Sequence, residues 1–344
     1  MIPRIALRGG YSISRIIKGG WHLAGDHGAV DAGQALKDMA TFVEAGITTF
    51  DCADIYTGVE QMIGDFRQAY PEHARQVQVH TKFVPDLSEL HSLDRAQVTA
   101  IIDRSLARLR LERLDLVQFH WWDFTVPRYV ETALELDRLR KAGKIAHVGV
   151  TNFDTPKLQE LVDAGIPVLS NQVQYSLVDD RPNPGMVAYC ASREIALLCY
   201  GTVCGGFLSE RWLGKASPGA GLANRSLAKY RLIIEDFGGW ALFQELLQVL
   251  QQIAAAHHTD IASVATRVIL DREQVAAAIV GAVNASHLAA HGQIAQLRLS
   301  ADELSLIASV TSRRKGPAGD VYALERDRDG DHGRIMKYEL NAAS

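Results

Sequence analysis

GITTFDCADIYTGVEQMIG, residues 46–64, decides the reading of this chain. Its apolar run ITTFD ends on Asp51, and Tyr56 follows five residues later. Two further apolar runs also end on chemically capable side chains, VQVHTK at Lys82 and LDLVQFH at His120. Residues so spaced meet only if the three runs are neighbouring parallel strands whose C-terminal ends open onto one face. The four suit carbonyl chemistry. A tyrosine hydroxyl titrates near ~10 and donates poorly at neutral pH; a lysine cation beside it is expected to lower that value. Asp51 is expected to keep Lys82 charged and aimed. His120 is expected to hydrogen-bond a substrate oxygen as negative charge builds there.

Length and composition agree with such a barrel. Eight strand–helix units commonly occupy a chain of this size, 344 residues, as one domain. Apolar residues make up 47% and the net charge is −4, so no basic surplus points to nucleic acid. No apolar run reaches membrane-spanning length and the opening MIPRIALRGGYSIS lacks a signal-like core, so a cytoplasmic location is expected. Cys52, Cys190, Cys199 and Cys204 show no metal-ligand spacing and are read as buried free thiols. No metal is expected.

Strand-like and helix-like stretches alternate along the chain. After a hairpin around Gly9 and Gly10, ISRIIKGG supplies the first barrel strand and VDAGQALKDMATFVEAG the first helix. VTAIIDRSLARL, VETALELDRLRKAG, PKLQELVDAG and GMVAYCASRE follow the third to sixth strands, and AIVGAV is the eighth. Gly46, Gly143 and Gly165 stop helices. Between Gly201 and Tyr230 the texture of Gly, Ser, Pro and scattered charge reads as a long loop. The expectation is a single barrel domain over 1–344, with its core at about 15–312 and a C-terminal tail at 313–344. DRDGDHG, 327–333, has some look of a calcium loop, but no glutamate stands at the twelfth position, and a solvated acidic tail is expected there. His257 and His258 are adjacent on a helix end and point apart.

The motifs resemble those of the aldo-keto reductase superfamily. Besides 46–64, with Glu60 after the tyrosine, the matching stretches are HTKF at 80–83, LDLVQFHWWD at 114–123, HVGVTNFD at 147–154, SNQVQYS at 170–176, CYGTVCGGFLSERW at 199–212 and AIVGAVNASHL at 278–288. They run in family order from about Gly19 to about Val310. The resemblance implies a (β/α)8 barrel with N-terminal hairpin, long loop after the seventh strand and C-terminal extension. It also implies reduction of a ketone or aldehyde with NADPH, NADH being possible, and Tyr56 as proton donor. A doubly wound sheet is disfavoured, because no GxGxxG turn closes a strand and no GxxxxGK loop is present.

By family position, Thr151, Asn152 and Gln172 would hold the nicotinamide carboxamide and Tyr200 would stack on its ring. Gly201, Gly206, Leu208, Arg211, Arg225, Gly281, Val283, His287 and His291 are the further cofactor-binding positions implied. The adenosine end departs from the family pattern: Val283 stands where a hydroxyl or cation is usual, and Ala290 and His291 where a Glu-Asn pair is usual. An extra ribose phosphate needs cations or several donors. Arg211, Lys215, Arg225 and Lys229 of the long loop are the candidates, with Asn284, Ser286 and His287. ANRSLAKYR, 223–231, resembles a cofactor-covering loop near the potassium-channel β-subunit branch.

Trp21, Phe83, Trp121 and Trp122 are the expected pocket walls, which favours a bulky or cyclic carbonyl. Strand neighbours alternate faces, so only one of Trp121 and Trp122 can point inward. The tail after Gly316 is read as folding across the barrel mouth, with Tyr322 and Tyr338 as further walls, and as dispensable for stability. The other readings are a nucleotide-binding regulatory barrel with little turnover and an NAD-dependent sugar or alcohol dehydrogenase. The expected partner is a small carbonyl compound, with neither nucleic acid nor membrane; the oligomeric state is open.

Overall fold

A computed structural model describes residues 2–24, 31–183, 185–219, 222, 224–281 and 284–341. Eight parallel strands close into a barrel: β3 (Ile16–Gly19), β4 (Thr49–Asp51), β5 (Gln78–Phe83), β6 (Leu114–Phe119), β7 (Ile145–Thr151), β8 (Ser170–Gln174), β9 (Ala196–Tyr200) and β10 (Val275–Gly281), which pairs back onto β3. The strands before it, β1 (Arg4–Ala6) and β2 (Ser12–Ser14), form an antiparallel hairpin. Leu7 and Ile13 of the hairpin region join Ile17, Leu116, Leu198 and Ala277 in an apolar plug inside the barrel, below the strand ends.

Alternation along each strand divides the chain between the barrel axis and the helix layer. On β6, Leu116 belongs to the inner cluster, whereas Val117 and Phe119 join the larger core with Val79, Val148 and Val150. Helices follow the strands as their caps specify. Asp31 accepts from Gln34 N at the start of Ala32–Glu44, Asp94 and Gln97 form a reciprocal capping box on Arg95–Leu109, and Asp154 caps Thr155–Asp163.

Two regions differ from the sequence reading. The stretch read as a loop up to Tyr230 contains single turns at Cys204–Gly206 and Glu210–Trp212, and a full helix, Arg225–Phe237, begins inside it. Asn224 caps that helix by accepting from Leu227 N, and Tyr230, Ile233, Ile234 and Phe237 bury one face at helical spacing. The second difference is the tail. It is strapped down at both sides of the barrel mouth: Lys315 N donates to Phe237 O at 3.0 Å, and Leu87 N donates to Tyr338 O at 3.0 Å. Between these points Glu325 is fully buried and pairs with Arg181 at 2.8 Å, while Val321 and Tyr322 join the main core. Asp327, Arg328, Asp329 and Asp331 are solvated, but His332 and Gly333 are buried, so this is an integral element and not an acidic tail.

Candidate active site

The ends of β4, β5 and β6 bring Asp51, Lys82 and His120 to one cavity, with Tyr56 on the turn after β4. Lys82 Nζ donates to Asp51 Oδ2 at 2.6 Å and to the Cys52 carbonyl at 2.8 Å, and lies 4.9 Å from the centre of the Tyr56 ring. Asp51 Oδ1 accepts from Gln118 Nε2 at 2.8 Å and Gln172 Nε2 at 2.7 Å. Three donors thus fix a carboxylate that would otherwise be costly to bury. Below the turn, Glu60 accepts from Thr81 Oγ1 at 2.6 Å, anchoring the helix Val59–Ala69 that follows Tyr56.

Burial opposes the charge of Lys82, but Asp51 and Tyr56 outweigh it and hold the ammonium above its ordinary value. For Tyr56 burial is the larger influence and raises the phenol, with Lys82 pulling the other way. The net direction is therefore opposite to the lowering expected from the lysine alone. His120 is lowered to about 3, first by burial and then by the charge of Arg326, so it is neutral across the ordinary pH range. Its Nδ1 lies 3.2 Å from the Thr151 carbonyl, and its buried Nε2 has no hydrogen-bond partner among the described residues.

A cavity of about 420 Å³ opens above this cluster. Trp21 and Trp122 line it, Trp21 edge-on to Tyr56 at 5.0 Å and Trp122 donating its indole N–H to the Pro85 carbonyl at 2.9 Å. Phe83 and Trp121 do not line it. Phe83 follows the inward Lys82 and so faces the helices, packing on Phe119, and Trp121 is fully buried with its indole N–H on the Asp123 and Val126 carbonyls. The tail supplies Tyr322, Ile335, Met336, Lys337 and Leu340 to the wall. Tyr338 stands behind them, packed on Trp122 at 5.2 Å.

Of the implied cofactor positions, Thr151, Asn152, Gln172, Tyr200, Gly201, Gly206, Arg225 and Gly281 line the cavity. Tyr200 OH donates to Asn152 Oδ1 at 2.8 Å. Gly201 and Gly205 are held flat under the Tyr230 ring, where a Cβ would come within 2.4 Å of that side chain. Others fall elsewhere. Leu208 is buried in an apolar cluster with Phe207, Tyr230, Ile233 and Ile234, Arg211 is exposed beside Trp212, His287 is exposed, and His291 is buried against Phe42 at 6.2 Å. Val283 lies outside the described residues. Lys229 is not a mobile loop cation: it lies 3.5 Å from Glu325 and 5.3 Å from the centre of the Tyr200 ring.

Gln118, Arg181, Glu325 and Arg326 were not singled out from the sequence. Gln118 had a usable signal, since it lies two residues before His120 on one strand and so shares its face. Among the described residues no group of three or more potential ligands could hold a metal ion, all four cysteines are buried and free, and no helix is long and apolar enough to cross a membrane.

Comparison with known proteins agrees with this geometry. The chain is 30% identical over 208 residues to aldo-keto reductase YhdN of Bacillus subtilis, a match covering 59% of this chain and 62% of that protein. It is 26% identical over 299 residues to flagellar radial spoke protein 5 of Chlamydomonas reinhardtii, of which it covers 56%, so it spans less than two thirds of the length of these two relatives. Methylglyoxal reductase YeaE of Escherichia coli is 23% identical over 321 residues, covering 91% of this chain and 96% of that protein. A glycerol dehydrogenase structure from Gluconobacter oxydans superposes with a TM-score of 0.78 at 21% identity over 92% of this chain and 97% of the other, a likeness of fold. The aldo/keto reductase family profile matches residues 15–312, and with this match the chain belongs to the aldo/keto reductase family.

Proposed function

We propose that the protein reduces a ketone or aldehyde to the alcohol, with Tyr56 as proton donor and NADPH preferred over NADH. The observation that carries this reading is the buried Asp51–Lys82 pair set against Tyr56 at the floor of an aromatic cavity. Burial keeps the Tyr56 phenol protonated at neutral pH, so it is a proton source, and the adjacent Lys82 charge stabilises the phenolate left behind. The reading draws further support from relatives named as a methylglyoxal reductase and an aldo-keto reductase.

The residues present fit a nicotinamide nucleotide. The Gln172 side-chain oxygen and the Asn152 amide nitrogen complement a carboxamide, and the Tyr200 ring offers a stacking face. Arg225 and Ser226 open the helix Arg225–Phe237 at the cavity edge, where backbone N–H groups and the helix dipole favour phosphate, and Gly206 leaves open space beside its backbone. When bound, the reduced nucleotide supplies the hydride. The chain's own part is to seat the carbonyl under the Trp21 and Trp122 walls, keep water out with the tail, and deliver the Tyr56 proton. The apolar wall favours bulky or cyclic carbonyls, and a cytoplasmic location accords with the reading.

The test is NADPH oxidation by purified protein with a panel of cyclic ketones, aryl ketones and short aldehydes. Turnover of any member supports the proposal. A folded protein that binds the nucleotide and turns over none of them contradicts it and favours a regulatory barrel.

A further inference from the structure

We infer that Arg326 of the tail is a positioning residue for the nicotinamide end of the nucleotide: by holding the backbone of Asn152 it sets the side chain that meets the carboxamide. The inference rests on the nucleotide-dependent reading and adds to it a residue from outside the barrel. Its starting point is the Asn152 backbone. Asn152 has φ 61°, a left-handed conformation that a residue other than glycine keeps where its surroundings hold it. Three bonds do so here. Its N–H donates to the Gln172 carbonyl at 2.9 Å, its side-chain oxygen accepts from Tyr200 OH at 2.8 Å, and its carbonyl accepts from Arg326 Nη2 at 2.7 Å. With that side-chain oxygen engaged, the amide nitrogen is the donor left for a carboxamide oxygen in the cavity that Asn152 lines.

Arg326 Nη2 also donates to the Trp121 carbonyl at 3.2 Å. Trp121 follows His120 and Asn152 follows Thr151, just beyond the paired strands β6 and β7, so one guanidinium nitrogen spans two strand ends of the site. The guanidinium does not line the cavity itself; its carbon lies 4.3 Å from the centre of the Phe124 ring. Any influence on a ligand therefore passes through the backbone it holds.

Anchoring the tail does not account for this arrangement. The helical turn Ala323–Arg326 is already fixed by Glu325, which meets Arg181 at 2.8 Å and Lys229 at 3.5 Å, and the tail is tied again at Lys315 and Tyr338. Arg326 adds little to that hold, since its Nε and Nη1 are buried with no hydrogen-bond partner among the described residues. Desolvated donors left unpaired cost free energy, and such a cost marks a group kept for what its remaining bonds do. Those bonds end on the two carbonyls beside the site.

The experiment measures, by calorimetry, the binding of NADP+ and of 2′-phospho-ADP-ribose, which keeps the phosphates and the adenosine but lacks the nicotinamide, to the wild-type protein and to Arg326→Met. The expected result is a loss of about tenfold or more in NADP+ affinity, with 2′-phospho-ADP-ribose affinity changed by less than about twofold, because only the nicotinamide end meets Asn152. Equal loss for both ligands would mean that Arg326 merely anchors the tail and overturns the inference, as does unchanged NADP+ binding. Should Arg326→Met fail to fold, hydrogen exchange on the wild-type protein decides. By reciprocity, NADP+ should slow exchange at the amides of residues 323–326 about threefold or more beyond the effect of 2′-phospho-ADP-ribose, and equal protection overturns the inference. A wild-type protein that binds neither ligand contradicts the nucleotide reading itself and the inference with it.

Discussion

Lys82 is where charge and burial meet most sharply. It touches Asp51, the Cys52 carbonyl and the Tyr56 ring while being only 6% exposed. Lys82→Met should reduce turnover by a factor on the order of 10² or more and also lower stability by about 3–5 kcal/mol, because a buried Asp51 loses its counter-charge. Adding Asp51→Asn removes the orphaned charge, so the double variant should recover much of the stability and none of the turnover. Melting curves beside kcat measurements separate the two effects, and recovery of turnover in the double variant contradicts an electrostatic role. The tetrad was legible because each member ends an apolar run. Its surroundings were less so. The burial that raises Tyr56 and lowers His120 comes from residues far apart in sequence, and no local pattern carries it.

At the scale of elements, the strand–helix alternation was readable from apolar period and capping residues; the strands at Asp51, Lys82 and His120 fall where it placed them, while the eighth, read from Ala278, begins at Val275. The helix Arg225–Phe237 was not, since its start is embedded in Gly, Ser and Pro and its apolar face becomes visible only from Tyr230 onward. That change moves Arg225 from a loop to a helix N-terminus on the cavity edge. Arg225→Ala should weaken NADPH binding more than NADH binding. Titration of nucleotide fluorescence checks this; equal loss for both would indicate a contact to the shared diphosphate. The wall elements make a separate prediction. Trp21→Ala removes aromatic area beside Tyr56, so KM should rise for a bulky cyclic ketone far more than for a short aldehyde, and an equal rise for both would take Trp21 out of the substrate wall.

Across the whole molecule the tail ties distant parts together. Arg181 and Glu325 are 144 residues apart in sequence, and a pairing so distant leaves no local trace, which is why the tail read as dispensable. Glu325→Ala should cost about 3–5 kcal/mol by leaving Arg181 and Lys229 under-compensated, and removal of the tail should lower the melting temperature as well as change substrate preference. Acid should act more broadly. His80 and His291 are lowered to about 4 and His120 to about 3, burial being the first cause in each. The unfolded chain takes up protons on them below about 6.5 while the folded chain does not, so stability is full above that pH and falls as pH drops toward about 4. A urea midpoint at about pH 5 should lie below that at about pH 7, and the reverse order would contradict the burial of neutral histidines. The most direct test of the central claim is the turnover of Tyr56→Phe on a ketone that the wild-type protein reduces, with nucleotide affinity measured on the same samples. Turnover should fall by a factor on the order of 10² or more with affinity nearly unchanged, and a folded variant with near-normal turnover would contradict proton donation by Tyr56.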